Sequence, residues 1–369
     1  MRVLVWQESC WPSIGGIQTS AELLLHGLQE RGYELAVATV AEAGLPAKSS
    51  LDGIAVHRFP FANALQERNL SQLSAIRDGV AGLKQEFAPQ LVHVNGIGPS
   101  VFFHFATERV RPCPLLVTLH SSNHFTDIPH ARKATLLSKT LLAADWITAV
   151  SRSMLAHGLA LLPEIENRSS IVHPGTAEPT PEPAPLPFER PSILCLANLF
   201  HHKGFDLVLQ AGQSLLRDRP ELGIVIAGEG PAGRALRRLA AELGIGDRVK
   251  FTGQVSRQAV PSLINQATIV VVPSRREPFG LVALEAALMA RPVVVADTGG
   301  LAEIVDHGKT GLVVPPDDPK VLETAIADLL GRPDAAAAMG SAARRRALAD
   351  FTLERHVAAY DSLYRRLAG

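Results

Sequence analysis

The sequence predicts an α/β protein built as two doubly wound halves in series. Three observations carry this. Short β-branched runs alternate with longer amphipathic stretches, the pattern of a parallel sheet with helices on both faces. The alternation breaks at one Pro-rich stretch, TAEPTPEPAPLPFERP at residues 176–191, which reads as a semi-rigid linker, and then restarts. The length, 369 residues, favours two domains over one.

In the first half, RVLVWQ precedes the helical TSAELLLHGLQERG, and ELAVATV, GIAVHRF, PQLVHVNG, PLLVTLH and DWITAVS follow as strands. In the second, SILCLAN, GIVIAG, RVKFTG, TIVVVPS, PVVVAD and TGLVVP are strands separated by helical patterns such as DLVLQAGQSLL and RALRRLAAELG. The chain ends in an amphipathic helix, FTLERHVAAYDSLYRRLAG. The expected boundaries are 1–178, 179–350 and 351–369, the last being the terminal helix.

Composition narrows the function classes. The chain is 47% hydrophobic and 20% charged, as in soluble proteins with sizeable cores. Its 36 Lys and Arg balance 36 Asp and Glu, so no net field points toward nucleic acid. Three widely spaced cysteines, Cys10, Cys113 and Cys195, fit reduced buried thiols rather than a disulfide framework or a zinc site. No apolar run approaches the roughly 18 residues needed to span a bilayer. MRVLVWQESC turns polar too soon for a signal peptide. A soluble, cytoplasmic protein is the expectation.

Ligands of open α/β sheets sit outside the carboxyl ends of the strands. Two such halves facing each other would make a cleft, which directs attention to the loops that follow strands. In AGEGPAG the glycines Gly228, Gly230 and Gly233 spell a dinucleotide fingerprint, but in the second half, with Pro231 already opening the helix, they read better as a tight strand-to-helix turn. The first strand lacks the pattern, which argues against a nicotinamide enzyme. Gly15 and Gly16 precede a helix and could let backbone N–H groups approach an anion, or simply make a turn. Lys203, beside Gly204 at another helix start, is either a phosphate ligand or a solvated charge. His120 ends the strand PLLVTLH; with His124 it could suggest a metal, but no third ligand has helical spacing and no D-x-D occurs. A hydrogen-bonding role for His120 alone fits better.

The most informative stretch is SRREPFGLVALEAALMARPVVVADTGG, residues 274–300. Glu277 falls in the loop after TIVVVPS, a helix begins near Pro278 to Gly280, and Glu285 lies about one and a half turns in. The geometry suits an anion at the helix tip with a polyhydroxylated group on each side. The plainer alternative makes Glu277 a helix cap and Glu285 an ordinary exposed residue.

At this point the chain resembles glycosyltransferase family 4. EPFGLVALE matches the E-x7-E motif of retaining glycosyltransferases with the GT-B fold, two Rossmann-like domains facing across a cleft. SIGGIQTSAELLLHGLQERGYELAVAT, TLHSS, VHPGT, HHKGFDLVLQA, IAGEGP and FTGQV fall in family order, so the resemblance covers nearly the whole length. It implies transfer of a hexose-type sugar from a nucleoside diphosphate sugar to a hydroxyl. UDP is the favoured nucleotide, with GDP and ADP as alternatives, and the acceptor is a sugar, a lipid-linked group or a small molecule. It implies no cofactor and no metal. Glu277 would contact donor-sugar hydroxyls, Glu285 the ribose, and the amides of Phe279, Gly280, Leu281 and Val282 the sugar and diphosphate. Lys203 would neutralise the diphosphate, Gly16 approach it from the first half, Val255 lie near the base, and His120 contact the sugar near the reacting carbon. The terminal helix would cross back to brace the first half.

One position departs from the family pattern. Ala197-Asn198 stands where the family carries Gly-Arg, so Asn198 offers an amide without a charge, and Arg275, Arg276, His201 or His202 would have to compensate. The rival readings are a nucleotide-sugar epimerase or hydrolase, a pseudo-glycosyltransferase, and a catalytically weak partner subunit. HARKATLLSKTLLAADW, basic and leucine-rich, reads either as a helix packed on the sheet or as a peripheral contact with the inner membrane face.

Overall fold

The computed structural model describes residues 1–13, 15–121, 135–186 and 190–369. The chain divides into two compact units, one of Met1–His173 with Leu353–Gly369 and one of Pro174–Thr352. The first division, 173/174, therefore falls before the 178/179 junction read from the sequence, and the second, 352/353, falls just after 350/351. Strand pairing explains the difference: the last strand of the first sheet ends at Ile171, while Thr176 already bridges to Thr352 within the second unit.

The first unit holds β1 (Arg2–Trp6), β2 (Glu34–Val40), β3 (Lys48–Leu51), β4 (Ile54–Phe59), β5 (Leu91–Asn95), β6 (Leu115–Leu119), β7 (Trp146–Ala149) and β8 (Ser169–Ile171). They form one sheet in the order β3-β4-β2-β1-β5-β6-β7-β8, parallel throughout except for the β3–β4 hairpin. Every residue of β5 and β6 is buried, the polar His93, Asn95 and Thr118 included, as in strands covered on both faces. The hairpin is an addition to the sequence reading. Asp52 and Gly53 both take positive φ, 49° and 85°, the requirement of a two-residue turn that matches strand twist.

The second unit holds β9 (Ser192–Leu196), β10 (Gly223–Ala227), β11 (Val249–Gly253), β12 (Ile269–Val272), β13 (Val293–Ala296) and β14 (Leu312–Val314). All pairs are parallel, in the order β11-β10-β9-β12-β13-β14. In both sheets the strand order reverses beside the first strand, between β1 and β5 and between β9 and β12. Loops leaving those strands diverge there, which opens a crevice at the carboxyl ends.

The terminal helix, Leu353–Ala368, packs on the first unit through a buried polar network. The Tyr364 hydroxyl lies 2.7 Å from His93 Nδ1, and the Tyr360 hydroxyl lies 3.0 Å from Thr118 Oγ1 and 3.2 Å from Thr148 Oγ1. Gly27 lets the helix approach: a Cβ there would meet Val357 Cγ2 at 2.5 Å. Among the described residues no helix is long and apolar enough to cross a membrane. The basic leucine-rich stretch is described from residue 135 onward. There the helix Leu136–Ala143 buries Leu137 and Leu141, and Lys139 sits over the Phe105 ring at 4.5 Å, as in the packed-helix reading.

Burial sets an acid limit on this unit. His93, His104 and His120 are each pushed down to about 3, and His356 to about 4, chiefly because burial disfavours the charged ring. Their folded values lie below the ordinary 6.5, so the unfolded chain binds protons first. Stability is therefore full above about pH 6.5 and falls as pH drops toward 4, by about 1.4 kcal/mol per pH unit for each such histidine. Urea unfolding at pH 7, 6 and 5 should show a steep decline; equal midpoints at the three pH values would contradict it.

Candidate functional site

The crevice of the second unit is built from the loops after β9 and β12. The first carries a short helical turn, His201–Lys203, closed by Gly204 in the left-handed region at φ 70°. A Cβ at Gly204 would lie 2.2 Å from the Pro273 carbonyl oxygen, so glycine lets this turn rest on the end of β12. Lys203 then reaches the second loop, and its Nζ donates to Glu277 Oε2 at 2.9 Å. Ser274 Oγ donates to the same oxygen at 3.0 Å. Both charged side chains are largely shielded, 19% and 12% exposed, so the pair is held in place rather than freely solvated.

A third loop supports the second from behind. Thr298 Oγ1 donates to the Ser274 carbonyl at 2.8 Å, and Gly300 N–H donates to the Glu277 carbonyl at 3.1 Å. Gly299 sits at φ 55°, where a Cβ would come within 1.6 Å of the Glu277 oxygen. The sequence reading marked this loop only as one of those following a strand. The adjacent glycines after PVVVAD were the available signal for so close an approach.

The helix Leu281–Leu288 starts at Gly280, whose φ of 110° makes the turn, and no side chain caps it. Glu277 therefore does not serve as its cap: the carboxylate is committed to Lys203 and Ser274. The Phe279 side chain is buried against Phe351, ring centroids 6.0 Å apart, which fixes the backbone at the helix entrance. Leu281 and Val282 are half-buried in the first turn.

Glu285 is not the exposed residue of the plainer reading. It is half-buried and lines a cavity of about 570 Å³ with Arg257, Gln258, Ser262 and the segment Thr176–Pro181. Burial pushes its carboxyl up to about 7, and Arg257 pulls it back down. Val255 belongs to the same loop as Arg257, half-buried, but is not among the residues lining that cavity. Asn198 is exposed at the end of β9.

Arg275 does not take up the missing family charge. Its guanidinium binds Asp206 through two bonds of 2.8 and 2.7 Å, donates to the His201 carbonyl at 2.8 Å and pairs with Asp317. It clamps the Lys203 turn and points its charge at carboxylates. Arg276 is exposed, and His202 stacks on Phe200 with centroids 5.6 Å apart. The glycines of AGEGPAG serve packing: a Cβ at Gly228 would lie 1.9 Å from the Ala197 oxygen and one at Gly230 2.6 Å from the Leu199 oxygen.

In the first unit His120 is 8% exposed, and its Nε2 lies 2.6 Å from Asn95 Oδ1. The amide oxygen only accepts, so the neutral ring carries its proton on Nε2. His120 lines a cavity of about 230 Å³ with Asn95, Gln7, Glu8 and Gln18. Gly16, exposed, is the first residue of the helix Gly16–Glu30, whose Ile17 reaches the same cavity. Among the described residues no group of three His, Cys, Asp or Glu could hold a metal ion; His124 lies outside them. Cys10 and Cys195 are buried and Cys113 is half-exposed, so the third thiol departs from the buried set expected.

Comparison with known proteins identifies the family. Residues 14–177 match the family described as Glycosyltransferase Family 4, and residues 178–346 match Glycosyl transferases group 1. The chain is 30% identical over 274 residues to the alpha-D-kanosaminyltransferase of Streptomyces kanamyceticus, covering 68% of this chain and 70% of that one. It is 38% identical over 167 residues to a GDP-mannose-dependent phosphatidylinositol monomannoside mannosyltransferase of Mycolicibacterium smegmatis, covering 43% and 44%. The crystal structure of Anabaena HepE with UDP-glucose superposes with a TM-score of 0.80 at 20% identity, covering all of both chains.

Proposed function

This chain belongs to glycosyltransferase family 4 and has the GT-B fold, and from that premise we propose that it moves a hexose from a nucleoside diphosphate sugar to an acceptor hydroxyl, with retained anomeric configuration and without a metal ion. The observation that carries this is the Lys203–Glu277 pair at the mouth of an uncapped helix, with Glu285 further along the same helix in a cavity of nucleoside size.

Each group then has a task. The pyrophosphate lies at the helix tip, where the amides of Phe279, Gly280, Leu281 and Val282 and the helix dipole favour negative charge. Lys203 has three donors and gives only one to Glu277, so it can meet a phosphate oxygen while keeping its partner. Glu277 keeps its other oxygen for sugar hydroxyls. Glu285, near half-ionised at neutral pH, accepts from the vicinal hydroxyls of the ribose, with Val255 and its loop toward the base. As the bond to the leaving group breaks, Lys203 and the helix tip stabilise the charge that develops on the diphosphate. The acceptor hydroxyl arrives on the face the diphosphate leaves, and a departing phosphate oxygen takes its proton. Asn198 adds an amide donor without charge, so a larger share of the neutralisation falls on Lys203.

UDP-hexose is the first donor to test, and GDP-mannose the comparison, since the mannosyltransferase relative is named for that donor. The assay incubates the protein with each donor and a panel of simple glycoside and polyol acceptors in excess EDTA, and reads the product anomer by NMR. An α-linked product from the α-donor at a rate unchanged by EDTA is expected. A β-linked product or loss of rate in EDTA would overturn the mechanism. Free sugar or an epimer as the sole product would instead favour the hydrolase and epimerase readings.

A further inference from the structure

The cavity of the first unit contains a polar arrangement that folding leaves incomplete. Gln7 follows β1, is 1% exposed, and neither atom of its amide has a partner among the described residues. A buried primary amide left unpaired in this way costs stability unless a ligand completes it. Its neighbour Glu8 is held in a fixed position. Trp6 Nε1 donates to Ser100 Oγ at 2.7 Å, that hydroxyl donates onward to Glu8 Oε1, and Ser100 N–H donates to the same oxygen at 3.0 Å. Oε2 makes no hydrogen bond with the described residues. Gly98 keeps the space open, since a Cβ there would lie 2.2 Å from the Glu8 carboxyl carbon. Burial raises the Glu8 carboxyl above its ordinary value. Around it the described lining holds no lysine or arginine, and His120 is neutral.

We propose that this cavity is a subsite for a polyhydroxylated ring bearing an ammonium group, an amino sugar or aminocyclitol, with Glu8 Oε2 taking the ammonium and the Gln7 amide spanning two neighbouring hydroxyls. The inference deepens the transferase reading and rests on it for the assignment of this ring as the acceptor. The amide offers one acceptor and two donors, which matches adjacent hydroxyls that each donate and accept. The carboxylate gains a charge-assisted bond with an ammonium and only a neutral one with a hydroxyl, and it repels a carboxylate or phosphate. Glu8 is therefore a specificity-determining residue for the amine.

The test uses the whole protein without nucleotide, with glucosamine, glucose and glucuronate as probes and saturation-transfer NMR titration as readout. Glucosamine should bind about tenfold more tightly than glucose, with glucuronate weakest. Glu8→Gln keeps the bond from Ser100 and should erase the preference for glucosamine over glucose. Gln7→Met, similar in volume, should weaken both sugars alike. Thermal midpoints no lower than that of the wild type show that both variants fold. No saturable binding of glucosamine to the wild type, equal binding of glucuronate, or a preference that survives Glu8→Gln would each overturn the proposal. Because no donor is present, a failure of the donor site leaves this result readable, and a failure here leaves the donor assays untouched.

Discussion

Lys203→Ala is expected to lower kcat by about 10²–10³-fold, with the thermal midpoint shifted by no more than about 2–4 °C. The charge lost stands beside Glu277 before the helix, where Asn198 is uncharged and Arg275 is clamped between Asp206 and Asp317. Part of the effect passes through Glu277, which keeps only the Ser274 hydroxyl on Oε2. Lys203→Arg separates the two contributions. It restores the charge with a planar fork in place of a compact ammonium and should recover part of the rate. Steady-state kinetics with saturating donor decides: a drop confined to KM would assign Lys203 to uniform binding, against a role in stabilising the leaving charge.

Gly299→Ala should be the most damaging small substitution near the site. Its Cβ would enter the Glu277 carbonyl oxygen at 1.6 Å, at a φ of 55° that an alanine adopts only with strain. Either the loop carrying Glu277 moves or the Thr298–Gly300 loop does, and both carry bonds that hold the pair in register. A loss of about 3 kcal/mol or more is expected, seen as a fall of about 6–12 °C in Tm, together with loss of activity. Gly331→Ala is the control: nothing lies within 4 Å of its Cβ and it ends a helix, so it should be neutral. Equal midpoints for the two variants would show that the close approach at Gly299 is not tight.

The alternating architecture was legible because parallel strands covered on both faces read as apolar runs, and IVVV and VVVA do. The β3–β4 hairpin escaped because KSSL has no apolar run, although LDGI beside it carries the turn signal. Glu277 and Glu285 drew attention by their spacing across a loop and the first turns of the helix it opens. The meeting of Lys203 with Glu277 spans 74 residues and depends on β9 and β12 being sheet neighbours, which no local pattern encodes. Arg275 misled for the same reason. Its partner Asp206 belongs to a different loop–helix junction, so a committed arginine looked available. Gln7 and Glu8 were not singled out in the sequence, since only the structure shows one without a partner among the described residues and the other fixed by Ser100.

Calorimetric titration of UDP, GDP and ADP against the wild-type protein and Glu285→Ala tests the donor site most directly. The account predicts saturable binding of at least one of them to the wild type and a loss of about tenfold or more in the variant, because the ribose hydroxyls lose a half-buried carboxylate partner. Equal affinity for both proteins, or no binding of any of the three, would contradict it.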